Sequence, residues 1–296
     1  MNFLQNVSLF DKNTFRIGGE SSYYSEPSSE SELKEAIDFA GSHHLSVFIL
    51  GKGSNVLISD YGWDGLTINT SAHFSSVRWS DEYATVDGGA SLNTLINQAV
   101  NSGFSGMEQL SGIPGTIGGA VIMNAGAFEC CIADTFFSAD VLLPSGQVTT
   151  YSAEEAAFGY RTSRFKNDGS IVLSATFKFK CDIDPDEIKA VQKDILLRRK
   201  SKQPLEYPNC GSVFKRPAGN FAGTLIEKCG LKGCRSGDVE ISEKHANFIV
   251  NKGKGRAEDV RILIRTAQKR VYEHSGILLE PEVLFIGKFD EPLFEI

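Results

Sequence analysis

Between Ser111 and Ala127 the chain reads S-G-I-P-G-T-I-G-G-A-V-I-M-N-A-G-A, with five glycines, one proline and no charged side chain. Glycine alone reaches positive φ cheaply, so such a stretch must turn sharply and lets a bulky partner approach the backbone closely. If it binds phosphates, it does so through backbone N–H groups, because it offers no lysine or arginine. A run of buried turns between short strands is the other reading of the same residues. The remainder of the chain decides between them.

At 296 residues the chain is long for one hydrophobic core and suggests two or three compact units. It is 41% hydrophobic and 23% charged, an ordinary composition for a soluble globular protein, and 29 glycines point to a turn-rich α+β fold. A net charge of -7 and a pI near 5.4 speak against a nucleic-acid partner. No apolar run approaches the ~20 residues of a membrane span, and the start, M-N-F-L-Q-N-V-S, lacks a signal-peptide plan. A cytoplasmic location is expected. The cysteines Cys130, Cys131, Cys181, Cys210, Cys229 and Cys234 show no C-x-x-C pairing, so reduced thiols are expected and no metal site.

In chain order, Leu33, Ala36, Ile37 and Ala40 make a helical stripe that Ser31 would cap and Gly41 would end. Val47 to Leu50 is an apolar strand, followed by Gly51-Lys52-Gly53-Ser54-Asn55 and a second strand, Val56 to Ile58. A dinucleotide fingerprint would open a helix and carry a third glycine, and a Walker loop needs G-x-x-x-x-G-K-[ST]; neither is met. Successive N–H groups of this small-residue loop can still form a nest for a diphosphate.

Strands at Val77 to Trp79 and Ala84 to Val86 precede a helix from Ser91 to Gly103. Beyond the glycine stretch, Ala139 to Leu143 and Gln147 to Tyr151 read as a hairpin about Pro144-Ser145-Gly146. Ser152 and Glu155 form a capping box that predicts a short helix, and Ile171 to Lys180 a long strand. Acidic residues and Pro185 mark a boundary at Asp182 to Asp186. The helix after it carries Ile188, Val191 and Ile195 on one face and Arg198, Arg199, Lys200 and Lys202 near its end, until Pro204 stops it. Asn209 to Pro217 reads as a turn-rich loop. A short helix at Leu225-Ile226, a strand at Phe248 to Val250, a long helix through Val260 and Val271 to Gly276, and a final strand at Val283 to Ile286 complete the chain.

Eight motifs, in order, are Asn13-Thr-Phe-Arg-Ile-Gly-Gly19, Gly51-Lys-Gly-Ser-Asn55, Gly112-Ile-Pro-Gly-Thr-Ile-Gly-Gly119, Asn124-Ala-Gly126, Tyr160-Arg-Thr-Ser163, Gly211-Ser-Val-Phe-Lys215, Ser242-Glu-Lys-His245 and Glu280-Pro-Glu-Val283. Through them the chain resembles the UDP-N-acetylenolpyruvoylglucosamine reductase family in its compact subtype. The resemblance implies an α+β fold: a two-subdomain FAD-binding region of the vanillyl-alcohol-oxidase (PCMH) type over residues 1–70 and 71–182, then an α+β substrate-binding domain over 183–296. It implies non-covalent FAD, NADPH as electron donor, and reduction of UDP-N-acetylglucosamine enolpyruvate to UDP-N-acetylmuramate for peptidoglycan synthesis. A flavin-dependent oxidase of the same fold and a sugar-nucleotide-binding protein without flavin are the alternatives.

The same resemblance implies the site. FAD would be held by Gly51, Lys52, Gly53, Ser54 and Asn55, and by Gly112, Ile113, Pro114, Gly115, Thr116, Gly118, Gly119 and Asn124. Arg161, Ser212 and Glu282 map onto the catalytic set. Hydride addition to the vinyl carbon leaves negative charge at C2 beside a carboxylate. Arg161 suits that charge with a permanent cation and a two-pronged geometry, Ser212 would donate the proton, and Glu282 would help hold the intermediate. Tyr160, Arg198, Lys202 and Arg216 are substrate-binding candidates, Arg216 standing where some members carry asparagine. His245 is equally well read as a structural histidine.

Overall fold

The computed structural model describes residues 1–290 and 292–294. Chain contacts divide it into two compact units that interleave in sequence: 1–2, 25–52 and 68–199 form the first, and 3–24, 53–67 and 200–296 the second.

The first unit is built on a five-stranded antiparallel sheet in the order Val148–Ser152, Phe136–Leu142, Ile171–Lys178, Tyr83–Asp87, Val77–Ser80. Alternation puts Ala84 and Val86 on the core side, where they meet Ala139, Val141, Ala175 and Phe177. Helix α1 (Glu30–Ser42) belongs to this unit, as does α2 (Leu92–Asn101), which buries Leu92, Leu95, Ile96 and Ala99 in the same core. The cap of α1 is Ser29 rather than Ser31: its side chain accepts from the Glu32 N–H at 3.2 Å, while Glu32 takes the Ser28 N–H and hydroxyl. In a serine-rich approach any of three residues could have served.

The glycine stretch contains a feature absent from the sequence expectation, a short helix α3 (Ile117–Ile122) whose cap is Thr116. Ser152 and Glu155 do bond reciprocally, at 2.9 and 3.3 Å, but they close a turn and no helix follows. Ala157 takes φ +46° and the Ala156 carbonyl accepts from the Arg164 N–H, so the turn cannot propagate. One helical turn, α4 (Arg164–Asn167), comes later, and α5 (Pro185–Lys202) starts at the expected proline.

The second unit carries a four-stranded sheet in the order Asn209–Ser212, Phe248–Asn251, Val239–Ile241, Arg235–Ser236. Asn209–Ser212 is thus strand where a loop was expected. Helices α6 (Ala222–Lys228) and α7 (Ala257–Ser275) pack on it, contributing Leu225, Ile226, Val260, Leu263, Ile264 and Val271 to a core shared with Phe15 and Leu57. Asp60 caps α7 from a distant loop, accepting from the Ala257 and Glu258 N–H groups at 2.8 and 3.1 Å. Gly276, at φ +70°, ends α7. Val56–Ile58 pairs in parallel with Leu284–Ile286, and Leu4–Ser8 pairs antiparallel with Glu20–Ser25. All six cysteines are free thiols, and among the described residues no helix is long and apolar enough to cross a membrane.

Candidate active site

In the first unit the two glycine segments touch. At Gly51 a Cβ would stand 2.5 Å from Thr116 Oγ1, so only glycine allows this approach. The second segment is braced from behind by Asn93, whose side chain accepts from the Gly112 N–H at 2.7 Å and donates to the Ile113 carbonyl at 2.8 Å. Gly112 itself sits at φ +83°, and a side chain there would meet Arg199 Cδ at 2.8 Å. Ile113, Ile117 and Gly118 donate to Leu110, Ala90 and Gly88 carbonyls, and Gly119 to Thr116 Oγ1. The N–H groups of Gly115 and Thr116 take no part in these bonds. Lys52 extends from the first segment to Ser91 Oγ, at 2.8 Å.

Asn124 is engaged by protein on both sides of its amide. It donates to the Gly159 carbonyl at 3.0 Å and accepts from the Ala133 N–H at 3.1 Å. Gly159 and Thr162 exchange backbone hydrogen bonds, which leaves Tyr160 and Arg161 at the tip of a tight turn. Arg161 adopts φ +56°, a conformation that costs a side-chain-bearing residue about 1–2 kcal/mol. Its guanidinium donates to the Gly126 carbonyl at 2.9 Å and lies over the Tyr160 ring, 5.1 Å from the centroid. The Asn124-Ala-Gly126 motif therefore holds the Tyr160-Arg161 motif, a relation that spacing in sequence does not reveal.

Near the end of α5, Arg198 is paired with Asp194 at 2.7 Å and is more than half exposed. Its neighbour Arg199 is the buried one. It is only 7% exposed, packs against Gly112 and lies over the Phe128 ring at 5.4 Å; burial pulls its guanidinium down to about 10, which leaves it cationic at neutral pH. Lys202, at the last position of α5, is exposed.

In the second unit Thr14 joins Gly53 to the strand that ends at Ser212. Its N–H donates to the Gly53 carbonyl at 3.1 Å and its hydroxyl to the Asn209 carbonyl at 2.7 Å. Asn55 reaches the strand carrying Glu282: its side chain donates to the Glu282 carbonyl at 3.2 Å, and its own carbonyl accepts from Leu284. Glu282 donates its N–H to the carbonyl of Val213, directly after Ser212, at 2.7 Å. Ser212 and Glu282, both half-buried, are thus fixed on hydrogen-bonded segments, with Gly53 and Asn55 tied to the same scaffold. Cys210 is fully inside; burial pushes its thiol up to about 12, so it is no nucleophile. Lys215 pairs with Glu280, and exposed Arg216 lies over the Phe221 ring at 4.1 Å. His245 accepts the Asn247 N–H at Nδ1, and burial holds its imidazole below the usual histidine range.

A UDP-N-acetylenolpyruvoylglucosamine reductase from Caldicellulosiruptor bescii is 45% identical over 294 residues, 99% of this chain and 93% of the relative. The chain belongs to the UDP-N-acetylenolpyruvoylglucosamine reductase family. Another such reductase, from Trichormus variabilis, is 42% identical over 93% of this chain and 84% of its own length. The crystal structure of the reductase from Thermus caldophilus superposes with a TM-score of 0.83 at 35% identity, covering 97% of this chain and all of that one. The family's C-terminal domain matches residues 203–286, and an FAD binding domain matches residues 21–152. The fold is that of an FAD-binding domain of the vanillyl-alcohol-oxidase type joined to the reductase C-terminal domain. Ser212 and Glu282 lie inside the reductase-specific span, the glycine segments inside the FAD-binding span, and Arg161 between the two.

The residues present fit an FAD. The close approach of Gly51 to Thr116 brings together two small-residue segments whose backbone N–H groups suit a diphosphate. Sequence reasoning missed Asn93 and Asn247, and it named Arg199 only within the basic group at the end of α5. Asn247 stands two residues beyond the Ser242 to His245 motif, while Asn93 has no local signature at all.

Proposed function

We propose that this chain is an NADPH-dependent UDP-N-acetylenolpyruvoylglucosamine reductase that makes UDP-N-acetylmuramate for peptidoglycan precursors in the cytoplasm. The observation that carries the reading is the full-length identity to reductases of that name, on a chain that retains Arg161, Ser212 and Glu282 in the family's motifs. FAD, when bound without a covalent link, supplies a two-electron carrier between NADPH and the double bond of the enolpyruvyl group. The Gly51 to Asn55 loop, with Gly115 and Thr116, would hold the cofactor's diphosphate through backbone N–H groups.

Arg161 binds the substrate carboxylate and stabilises the negative charge that reduction leaves at C2. A guanidinium already oriented by the Gly126 carbonyl and its strained turn needs little rearrangement to do so. Ser212 Oγ delivers the proton to C2. Glu282, anchored through its own N–H to Val213, holds the intermediate against that hydroxyl. Tyr160, Lys202 and Arg216 contact the nucleotide sugar, and residues 183–296 form its main seat.

The purified protein should be yellow and should release FAD on denaturation without proteolysis. NADPH should bleach it anaerobically, and UDP-N-acetylglucosamine enolpyruvate should restore the colour far faster than air does. In Ser212→Ala, bleaching by NADPH stays within about twofold of wild type, while reoxidation by the substrate slows ~10²- to 10⁴-fold, the usual contribution of a general acid. Colourless protein that cannot be reconstituted, or reoxidation by oxygen alone at catalytic rates, refutes the proposal.

A further inference from the structure

The strand that ends at Ser212 is irregular. Asn209 pairs with Val250 and Ser212 with Phe248, so three steps along one strand match two along its partner. The extra residue is a β-bulge, and Gly211, at φ +79°, lies within it. Bulges re-aim the side chain that follows and interrupt the ladder, so the backbone after Ser212 loses part of its regular support. The partner strand also begins only at Phe248. The next residues, Val213 and Phe214, are 1% and 2% exposed, and their peptide groups need partners other than water.

Asn247 provides them. Its backbone carbonyl accepts the Val213 N–H at 2.9 Å. Its side chain, itself only 8% exposed, imitates a peptide unit: Oδ1 accepts the Phe214 N–H at 3.0 Å and Nδ2 donates to the Phe214 carbonyl at 2.9 Å. Beyond Phe214 stands the segment that bears Glu282, with Phe214 opposite Pro281, Lys215 N–H on the Glu280 carbonyl and Glu282 N–H on the Val213 carbonyl. One side-chain amide thus braces the free side of a two-segment unit that carries both the proposed acid and its carboxylate partner. No other side chain of this length supplies a donor and an acceptor together.

From this arrangement we infer that Asn247 is a positioning residue for proton delivery, fixing Ser212 through Phe214 without touching the substrate. The inference rests on the assignment of Ser212 as the acid. A general acid must be held within about half an ångström of its productive place, so loosening Phe214 should impair the proton step and spare the steps before it.

The test is a double-mutant cycle on the flavin-loaded enzyme, read by anaerobic stopped-flow absorbance. Asn247→Asp is nearly isosteric; its carboxylate keeps the acceptor for the Phe214 N–H and loses the donor to the Phe214 carbonyl. Bleaching by NADPH should stay within about twofold of wild type, and reoxidation by UDP-N-acetylglucosamine enolpyruvate should slow about tenfold or more. In a Ser212→Ala background the same substitution should slow reoxidation by less than about twofold, because residues that act through one group are not additive. Hydrogen exchange at the Phe214 amide should also quicken in Asn247→Asp.

An equal loss in both backgrounds, or no loss in the wild-type background, overturns the inference while leaving Ser212 as the acid. Reoxidation of Ser212→Ala at the wild-type rate overturns the acid assignment and the inference together. If Asn247→Asp does not fold, Asn247→Gln takes its place in the cycle. It keeps both amide atoms but displaces them by about one C–C bond, ~1.5 Å, and the same two outcomes decide.

Discussion

Replacing Asn124 by alanine tests whether this residue serves the cofactor directly or holds the turn that presents Arg161. Two hydrogen bonds are lost from a side chain that is 7% exposed, the donation to Gly159 and the acceptance from Ala133. Each such bond contributes about 1 kcal/mol net. Asn124 also sits at φ +42°, which asparagine tolerates better than alanine does, adding roughly 1 kcal/mol. The expected loss is about 3 kcal/mol. At about 2–4 °C per kcal/mol, the melting temperature should fall by roughly 6–12 °C. Asn124→Asp keeps the acceptor for Ala133 and loses only the donor to Gly159, so it should cost about 1 kcal/mol. With the Gly159–Thr162 turn loosened, that milder variant should bind the enolpyruvyl substrate several-fold more weakly and still retain its full complement of flavin. Thermal melts, flavin content by absorbance and steady-state KM are the measurements. A protein that loses flavin while its melting temperature and KM stay at wild-type values would refute the reasoning and return Asn124 to the cofactor.

Arg161→Ala should raise KM and lower kcat together, because a cation on the carboxylate acts in both the ground state and the transition state; a change in KM alone would confine it to binding. Burial lowers the folded-state pKa of His245, so below about pH 6.5 the unfolded chain takes up a proton that the folded chain resists, and stability is lost as pH falls through the folded-state value. Melting curves of His245→Gln should therefore fall less steeply with acidification than those of wild type, and equal slopes would exclude this contribution. Asp60→Ala leaves the Ala257 and Glu258 N–H groups of α7 without their carboxylate and should cost about 1–2 kcal/mol in denaturant melts, with flavin reduction by NADPH unchanged.

Elements governed by local chemistry were legible in the sequence. The stripe of α1, the proline that opens α5, the glycine that closes α7 and the hairpin about Pro144 to Gly146 each follow from side chains a few positions apart. The capping box at Ser152 was read correctly as two hydrogen bonds and wrongly as a helix start, since the competing contact comes from Arg164, outside any local window. The strand at Asn209–Ser212 was hidden for a similar reason: Asn and Gly are poor strand formers, and the pairing that extends the segment comes from distant Phe248–Asn251. Leu4–Ser8 and Glu20–Ser25 lack a clean apolar alternation and went unread. Within the site, Arg161, Ser212 and Glu282 were reached through the motifs that carry the family resemblance, and their side-chain types suit the proposed chemistry. The supports around them, Asn93, Asn124 and Asn247, act on backbone far away in sequence, and an asparagine announces nothing about which peptide it will bind.

The parallel pairing of Val56–Ile58 with Leu284–Ile286 has a consequence for how this chain comes off the ribosome. Residues 68–199 are continuous and contain every strand of the five-stranded sheet, so that sheet can assemble while synthesis is under way. The strand at Val56 is made before that sheet and must wait, its edge open, for a partner made only after the sheet is complete. Such an unpaired apolar edge is where a nascent chain is most prone to mispair or aggregate. Nascent chains stalled before Leu284 should therefore be the species that chaperones hold longest.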